Sequence, residues 1–242
     1  MRKGAMRMHY VMSDLHGDYE GYLRVLRKIR FSEQDVLYVI GDVLDRGRGG
    51  LKILQHMMLQ SNVYPILGNH EYMGIQCLRF LMQEITEESI AAMDAGMMQG
   101  LLEWQNVGGT VTMDEFHKLT QEEKQDIVDY LEEFALYEEV CVKGKTYIMV
   151  HAGLANFSPK RPLEDYGLHE LIFKCNDYER VYFPDKYIIT GHLPTVAIEG
   201  NPRPNYVYRT NNHIAIDCGA GYGGRIGVFC LETEKEFYST EE

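Results

Sequence analysis

Apolar runs alternate with amphipathic segments over the first seventy residues of the chain. Short apolar runs at 8–13, 36–40 and 63–67 have the length of buried strands. Between them, apolar residues recur at helical spacing over 22–29 and 51–59. Strands that alternate with helices predict parallel βαβ units, in which ligands gather at the carboxyl ends of the strands.

The pattern changes over residues 71–134, which are polar, Met-rich and helical in tendency. Thr-Glu-Glu-Ser at 86–89 and Thr-Gln-Glu-Glu at 120–123 have the composition of helix starts. The segment therefore predicts a helical insert. Its Gly pair at 108–109 favours a tight turn over a close approach of the backbone to a substrate.

The remaining chain predicts antiparallel pairing. Apolar runs at 138–142 and 146–150 flank Lys-Gly-Lys, which is typical of a β-hairpin. Further strands are predicted at 187–189, 213–216 and 226–231, and the Pro- and Asn-rich segment 201–212 is predicted to be a loop.

Five short blocks that contain Gly follow the predicted strands, and together they hold six side chains of the metal-binding type. These are Asp14, His16, Asp42, Asn69, His151 and His192. A pair of divalent cations requires oxygen and imidazole donors delivered from several strand ends, as this order provides. Each residue also has an ordinary structural alternative, such as an Asx turn or a helix N-cap, but those alternatives do not explain five ordered blocks.

The spacing of the six residues predicts which of them bind each of the two ions. Asp14 and His16 stand one residue apart and can bind one ion together, and the carboxylate of Asp42 can bridge that ion to a second. The three later residues would complete the second ion. Such an ion pair lowers the pKa of a bridging water molecule towards neutrality, which supplies hydroxide for attack on phosphorus.

Neighbouring residues in the same blocks suit the transfer of a phosphoryl group. His70 can protonate a departing alkoxide, and Asp45 would hold His70 in the required tautomer. Arg46 offers a planar, charged fork for two phosphate oxygens, and Asn69 and His70 would contact the same phosphate. Glu71 is expected to cap or pair nearby.

The blocks also carry a family resemblance. They read Ser-Asp-Leu-His-Gly at 13–17, Gly-Asp-Val-Leu-Asp-Arg-Gly at 41–47, Gly-Asn-His-Glu at 68–71, His-Ala-Gly at 151–153 and Gly-His at 191–192. In this order they resemble the bacterial type of the phosphoprotein phosphatase branch of calcineurin-like metallophosphoesterases, from about residue 10 to 237. The resemblance implies an α/β fold (α+β in some schemes) of two packed mixed β-sheets flanked by helices. It also implies two divalent transition-metal ions, with Mn²⁺ favoured over Fe, Zn and Ni, and hydrolysis of phosphate esters.

Three functions are compatible with the resemblance. The favoured one is a Ser/Thr phosphoprotein phosphatase that hydrolyses phosphomonoesters in proteins or small molecules. A sister group, the dinucleoside polyphosphate hydrolases, tends to have Ala-Arg-Gly and Gly-Asn-His-Asp in these blocks, so Asp45 and Glu71 favour the first function. A noncatalytic phosphate-binding relative is the third, because Cys175 occupies the apparent position of a second phosphate-binding Arg. Lys174 or Arg180 would then have to compensate.

The composition and the distribution of the blocks limit the domain organisation, the binding partners and the location of the protein. We predict one domain over 1–242, with the insert at about 71–134, because the blocks are distributed over most of the chain. The net charge of −12 disfavours nonspecific binding to nucleic acid or to an anionic membrane. Five cysteines without Cys-x-x-Cys spacing indicate neither a disulfide scaffold nor a zinc knuckle. With no predicted signal or membrane segment, a cytoplasmic location is expected, and the sequence leaves the oligomeric state open.

Overall fold

The structure, a computed structural model, describes residues 7–83, 86 and 94–240. The strands of this part are β1 (His9–Ser13), β2 (Val36–Ile40), β3 (Val63–Ile66), β4 (Tyr137–Val142), β5 (Lys145–Val150), β6 (Lys186–Thr190), β7 (Tyr208–Thr210), β8 (His213–Ala215), β9 (Gly227–Cys230) and β10 (Glu236–Tyr238). The α-helices are α1 (Tyr19–Ile29), α2 (Gly50–Met58), α3 (Asn69–Leu81), α4 (Ala95–Trp104), α5 (Thr110–Phe116), α6 (Gln121–Glu132) and α7 (Leu168–Ile172). Among the described residues, no helix has both the length and the apolar character needed to cross a membrane.

The strands form two mixed sheets of five strands each. The first has the order β10-β9-β1-β2-β3, with parallel pairing through β1, β2 and β3 and antiparallel pairing at β9 and β10. The second has the order β4-β5-β6-β8-β7, in which β5, β6 and β8 pair in parallel. The predicted mixed sheets and the β4–β5 hairpin are therefore confirmed, but the later strands are not antiparallel throughout.

Apolar side chains from both sheets meet in a buried layer that includes Ile40 and Ile66 of the first sheet and Met149, Ile189 and Ile214 of the second. A larger buried cluster joins the outer face of the first sheet to the helices. Burial of α1 follows its helical spacing, because Tyr22, Val25 and Ile29 face this cluster. The two layers hold the carboxyl ends of β1, β2 and β5 in fixed positions around one site.

Two predictions of local structure are wrong. The predicted loop 201–212 contains β7, which pairs with β8 through a two-residue turn at Asn211 and Asn212, whose φ angles are 48° and 58°. Left-handed Asn pairs are typical of tight hairpin turns, so the signal was present, but three-residue β7 is too short for apolar alternation to reveal. Asn69 and His70 lie in the first turn of α3 and not at a strand end.

The region from 71 to 134 is helical where it is described. Thr120 caps α6 and accepts a hydrogen bond from the Glu123 backbone, as predicted. The other predicted helix start, at 86–89, lies largely outside the described residues. The Gly pair forms a π-helical turn with a φ of 113° at Gly108, and the backbone there approaches Arg46.

Candidate active site

Two groups of three side chains could each hold a metal ion among the described residues. One contains His16, Asp42 and His70, and the other contains Asp42, His151 and His192. Within each group the potential ligand atoms lie within 4.8 Å of one another. Asp42 belongs to both groups, so its carboxylate stands between them.

The distances around Asp42 suit a shared carboxylate ligand. Its Oδ2 lies 3.7 Å from Nε2 of His16, and its Oδ1 lies 3.4 Å from Nε2 of His151. Ligand atoms on an ion with bonds of about 2.1 Å are about 3 to 4.2 Å apart, so both separations fit. Burial alone would raise the pKa of Asp42, but the neighbouring histidines, His151 foremost, hold that pKa below its usual value.

Asn69 joins the two histidines of the second group. Its side-chain oxygen lies 2.9 Å from Nε2 of His151 and 2.9 Å from Nδ1 of His192. The three side chains thus converge on one small volume beside Asp42, as the sequence predicts. Burial lowers the pKa of His151, and burial together with His151 lowers that of His192 to about 4. Both imidazoles are therefore neutral at physiological pH, as metal ligands must be.

Backbone carbonyls orient two of the imidazole rings. Nδ1 of His16 donates to the carbonyl of Leu44 at 3.0 Å, and Nδ1 of His151 donates to that of Ile40 at 3.0 Å. Each bond leaves Nε2 as the atom that faces Asp42, which is the usual arrangement of histidines that bind metals. Burial lowers the pKa of His16 to about 3, so this ring is neutral as well.

Asp14 is at the site but lies outside both groups of three. Both of its carboxylate oxygens lie 3.0 Å from the backbone nitrogen of His192, which donates to them. Burial, together with Asp217 and Asp42, raises the pKa of Asp14 well above its usual range. Three buried carboxylates in one place are costly unless a cation lies among them, so this arrangement suits a metal centre.

His70 is held differently from the other imidazoles. Its Nδ1 lies 2.6 Å from Oδ2 of Asp45, which also accepts from Nε1 of Trp104 at 2.8 Å. Thr112 donates to the other oxygen of Asp45 at 2.6 Å. Burial alone would lower the pKa of His70, but Asp42 and Asp45 raise it above its usual value. Both carboxylates thus favour the protonated imidazolium form of His70, in which Nε2, the atom that faces the site, also carries a proton.

Arg46 extends across the same opening. Its Nη1 lies 2.8 Å from Nε2 of His16, and its Nη2 lies 3.2 Å from Nε2 of His70. The exposed ring of Tyr222 stacks against the guanidinium at 4.3 Å. Close packing at Gly221 makes this possible, because a Cβ there would lie 2.4 Å from the His16 ring.

The backbone of the site is strained where these side chains emerge. Six site residues have left-handed φ angles, namely Asp14, His16, Asp42, Asp45, Arg46 and His192. Such conformations cost on the order of 1 to 3 kcal/mol each for residues other than Gly, and they concentrate at functional sites. The surrounding fold therefore holds these side chains in place at an energetic cost.

Comparison with known families identifies the chain. The family described as calcineurin-like phosphoesterase matches residues 10–218, which is most of the sequence. The chain belongs to the calcineurin-like phosphoesterases. Members of this family use divalent metals, which agrees with the donor set around Asp42.

Two curated relatives of the chain are named for the same activity. The symmetrical bis(5'-nucleosyl)-tetraphosphatase of Buchnera aphidicola subsp. Schizaphis graminum is 30% identical over 151 residues, 57% of this chain and 53% of that protein. The enzyme of the same name from Coxiella burnetii is 26% identical over 199 residues, 77% of this chain and 66% of that protein. The chain thus spans about half to two thirds of the length of these relatives.

Solved calcineurin-like structures share the fold. A putative diadenosine tetraphosphatase superposes with a TM-score of 0.66 at 16% identity, over 97% of this chain and 94% of the other. A protein serine/threonine phosphatase from Saccharomyces cerevisiae gives a TM-score of 0.63 at 14% identity, over 100% of this chain and 82% of the other. At such low identities the likeness concerns the fold alone.

Four residues at the site were missed by sequence reasoning. Asp217 had a usable signal, because it directly follows the predicted strand 213–216 and stands two residues before Gly219. Tyr222 lies in a Gly-rich segment that the five blocks do not include. Trp104 and Thr112 reach Asp45 from the helical region, and no local pattern links a side chain there to a residue 59 or 67 positions earlier.

Glu71 supports the loop that carries Asp42. Its buried carboxylate accepts hydrogen bonds from the backbone nitrogens of Asp42 at 2.7 Å, Val43 at 2.8 Å and Leu44 at 3.1 Å. It also accepts from the nitrogen of Gly68 at 3.2 Å. The expected capping role is therefore observed, and the side chain ties the start of α3 to the end of β2.

Glu71→Ala is expected to destabilise the protein. The substitution leaves four buried backbone donors without their acceptor, so the free energy of unfolding should fall by about 3 kcal/mol. Urea denaturation followed by circular dichroism measures this change. Glu33→Ala, at an exposed turn, is the matched control and should change stability by less than about 0.5 kcal/mol. An equal effect of the two substitutions would contradict the supporting role of Glu71.

Proposed function

We propose that this protein is a metal-dependent phosphoesterase with two ions bound around Asp42. The observation that carries the proposal is the position of the Asp42 carboxylate, which belongs to both groups of potential ligands. His16 and Asp14 would hold one ion, and Asn69, His151 and His192 would hold the other. The mixture of carboxylate, imidazole and amide donors suits Mn²⁺, Fe, Zn or Ni.

The chain's own groups supply the remaining chemistry. When bound, a pair of divalent ions would act as a Lewis acid on phosphate oxygens and would lower the pKa of a bound water molecule. Arg46 binds phosphate oxygens with its planar fork while Tyr222 supports the guanidinium. Asp42 and Asp45 raise the pKa of His70 and so favour its imidazolium form, in which Nδ1 donates to Asp45 and Nε2 carries a proton for the departing oxygen.

The proposed substrate is a dinucleoside polyphosphate such as diadenosine tetraphosphate. The curated relatives are named for that activity. The sequence argument for a phosphoprotein phosphatase depended on Asp45 and Glu71, but both side chains are buried and bonded to protein groups. Because protein groups engage both carboxylates, we do not expect either of them to discriminate between substrate classes. A cytoplasmic location stays a prediction from the sequence.

One observation supports a phosphomonoesterase as a second candidate. The pairing of His70 with Asp45 prepares a proton donor, and a departing alkoxide needs a proton more than a departing phosphate group does. Phosphorylated proteins and small phosphate esters would then be the substrates. The two candidates share the same metal site and differ in what lies beyond the scissile bond.

A side-by-side assay with Mn²⁺-loaded protein tests the proposal. We expect diadenosine tetraphosphate and p-nitrophenyl phosphate to be hydrolysed, with kcat/KM for the dinucleotide exceeding that for a phosphopeptide by at least about tenfold, a difference of about 1.4 kcal/mol. The same protein after treatment with a chelator is the control and should be inactive. Faster hydrolysis of the phosphopeptide would favour the second candidate, and no hydrolysis with any of several divalent metals would refute a phosphoesterase.

A further inference from the structure

A pocket of about 460 Å³ opens between two segments that lead away from the site. Its walls include Leu154, Asn156 and Phe157 on one side and Lys174, Cys175 and Arg180 on the other. We call it the Lys174–Arg180 pocket. None of its lining residues belongs to the groups around Asp42.

Each wall of the pocket connects to a ligand of the proposed second ion. Leu154 stands three residues after His151, and the backbone of Phe173, next to Lys174, lies close enough to the His192 ring to raise its pKa. The side-chain oxygen of Asn176 accepts from the backbone nitrogen of Leu154 at 2.8 Å and so joins the two walls. The pocket therefore adjoins the metal centre and is fixed to it by buried contacts.

The pocket carries positive charge in an acidic protein. Lys174 and Arg180 are exposed, and neither forms an ion pair with any described residue. The guanidinium of Arg180 lies 5.0 Å from the ring centre of Phe157 and 5.2 Å from that of Tyr182, which restrains it without neutralising it. The one acidic lining residue, Asp177, uses its carboxylate to accept from the backbone of Glu179. Two unpaired cations beside a phosphoesterase centre suit an anionic ligand.

We infer that the Lys174–Arg180 pocket binds the phosphate groups of a dinucleoside polyphosphate that lie beyond the scissile bond. This inference rests on the proposed function. The ions and Arg46 engage one phosphate group, whereas a tetraphosphate chain carries further charges that need partners. The pocket offers two such cations on walls that lead back to His151 and His192. It thereby favours a polyphosphate over a monoester with no second phosphate.

The test compares two substrates in one Mn²⁺-loaded protein. Diadenosine tetraphosphate can reach the pocket with its further phosphates, whereas p-nitrophenyl phosphate has a single phosphate and reports on the metal centre. In the Lys174→Ala/Arg180→Gln double variant, we expect the ratio of kcat/KM for the dinucleotide to that for p-nitrophenyl phosphate to fall at least about tenfold, mainly through KM. The fall should shrink at high salt because the contacts are exposed charges.

Matched variants show whether a fall in the ratio comes from the loss of positive charge in the pocket or from a general disturbance of the protein surface. Arg180→Lys keeps the positive charge. Its ratio of kcat/KM values for the two substrates should therefore stay much closer to the wild-type ratio than that of Arg180→Gln. Arg24→Ala/Lys160→Ala removes two other exposed cations, at positions outside the pocket, and should leave the ratio at the wild-type value. Thermal melts of all variants show whether any change in the ratio accompanies unfolding.

The outcomes distinguish this inference from the proposed function. If wild-type protein hydrolyses the dinucleotide and the Lys174→Ala/Arg180→Gln variant keeps the wild-type ratio, the inference about the pocket is wrong and the proposed function stands. If wild-type protein hydrolyses p-nitrophenyl phosphate but not the dinucleotide, the proposed substrate is wrong, and the inference is overturned with it. A fall in the ratio that Arg180→Lys prevents would support the inference.

Discussion

Asp42→Asn is expected to reduce hydrolysis of p-nitrophenyl phosphate by at least about 1000-fold, which corresponds to about 4 kcal/mol of transition-state stabilisation. The amide keeps the shape of the side chain but removes the negative charge that stands between His16 and His151. Both proposed ions lose a ligand at once, so metal content should fall well below two ions per chain. Steady-state kinetics and elemental analysis of Mn²⁺-loaded protein measure the two effects.

Asp114→Asn is the matched control for this experiment. Asp114 is exposed and lies 3.8 Å from Arg48 in a surface ion pair, so the same chemical change there should alter kcat by less than about twofold. An Asp42→Asn protein that retained both ions and full activity would show that Asp42 is not shared between two metal sites.

His70→Asn should slow turnover by an amount that depends on the leaving group. Loss of a proton donor costs about 100-fold to 10,000-fold for phenyl phosphate, whose leaving group is poor. For 2,4-dinitrophenyl phosphate, whose leaving group departs readily without a proton, the loss should stay within about tenfold. The kcat values of the two esters, measured on one preparation of known metal content, provide the comparison.

The exposed His117 supplies the control substitution, His117→Asn, which should leave both rates at the wild-type values. Equal losses for the two esters in His70→Asn would remove His70 from the role of proton donor. A parallel loss of metal would instead make His70 a ligand, since its Nε2 lies 3.8 Å from Oδ2 of Asp42.

Short apolar runs predicted the strands that carry most site residues, because a buried strand needs little more than an uninterrupted apolar segment. β1, β2, β5 and β6 lie where the sequence places them. Short β7 and β10 escaped prediction because their pairing with β8 and β9 depends on neighbours and not on their own three residues. The position of Asn69 and His70 in a helix was missed because the apolar run of β3 continues into Leu67 without a clear end.

The candidate site was likewise predicted from the sequence only in part. Motif order indicated which residues would converge, and the fold brings Asp42 together with His16, His70, His151 and His192. The contacts of Asp45 with Trp104 and Thr112, the burial of Glu71 under four backbone donors and the position of Asp217 came from chain packing. These contacts changed the functional proposal, since they show that the carboxylates of Asp45 and Glu71 are buried and bonded to protein groups.

Residue types and their order were enough to predict a set of metal-type donors and the alternation of strands and helices. Both depend on local features, namely donor atoms and the spacing of apolar side chains. The shared place of Asp42, the contact of His70 with Asp45 and the pocket in which Lys174 and Arg180 face Leu154 and Phe157 depend on residues distant in the chain. Such contacts arise only when the two sheets and the helices pack, because burial and close approach set the distances and the pKa values.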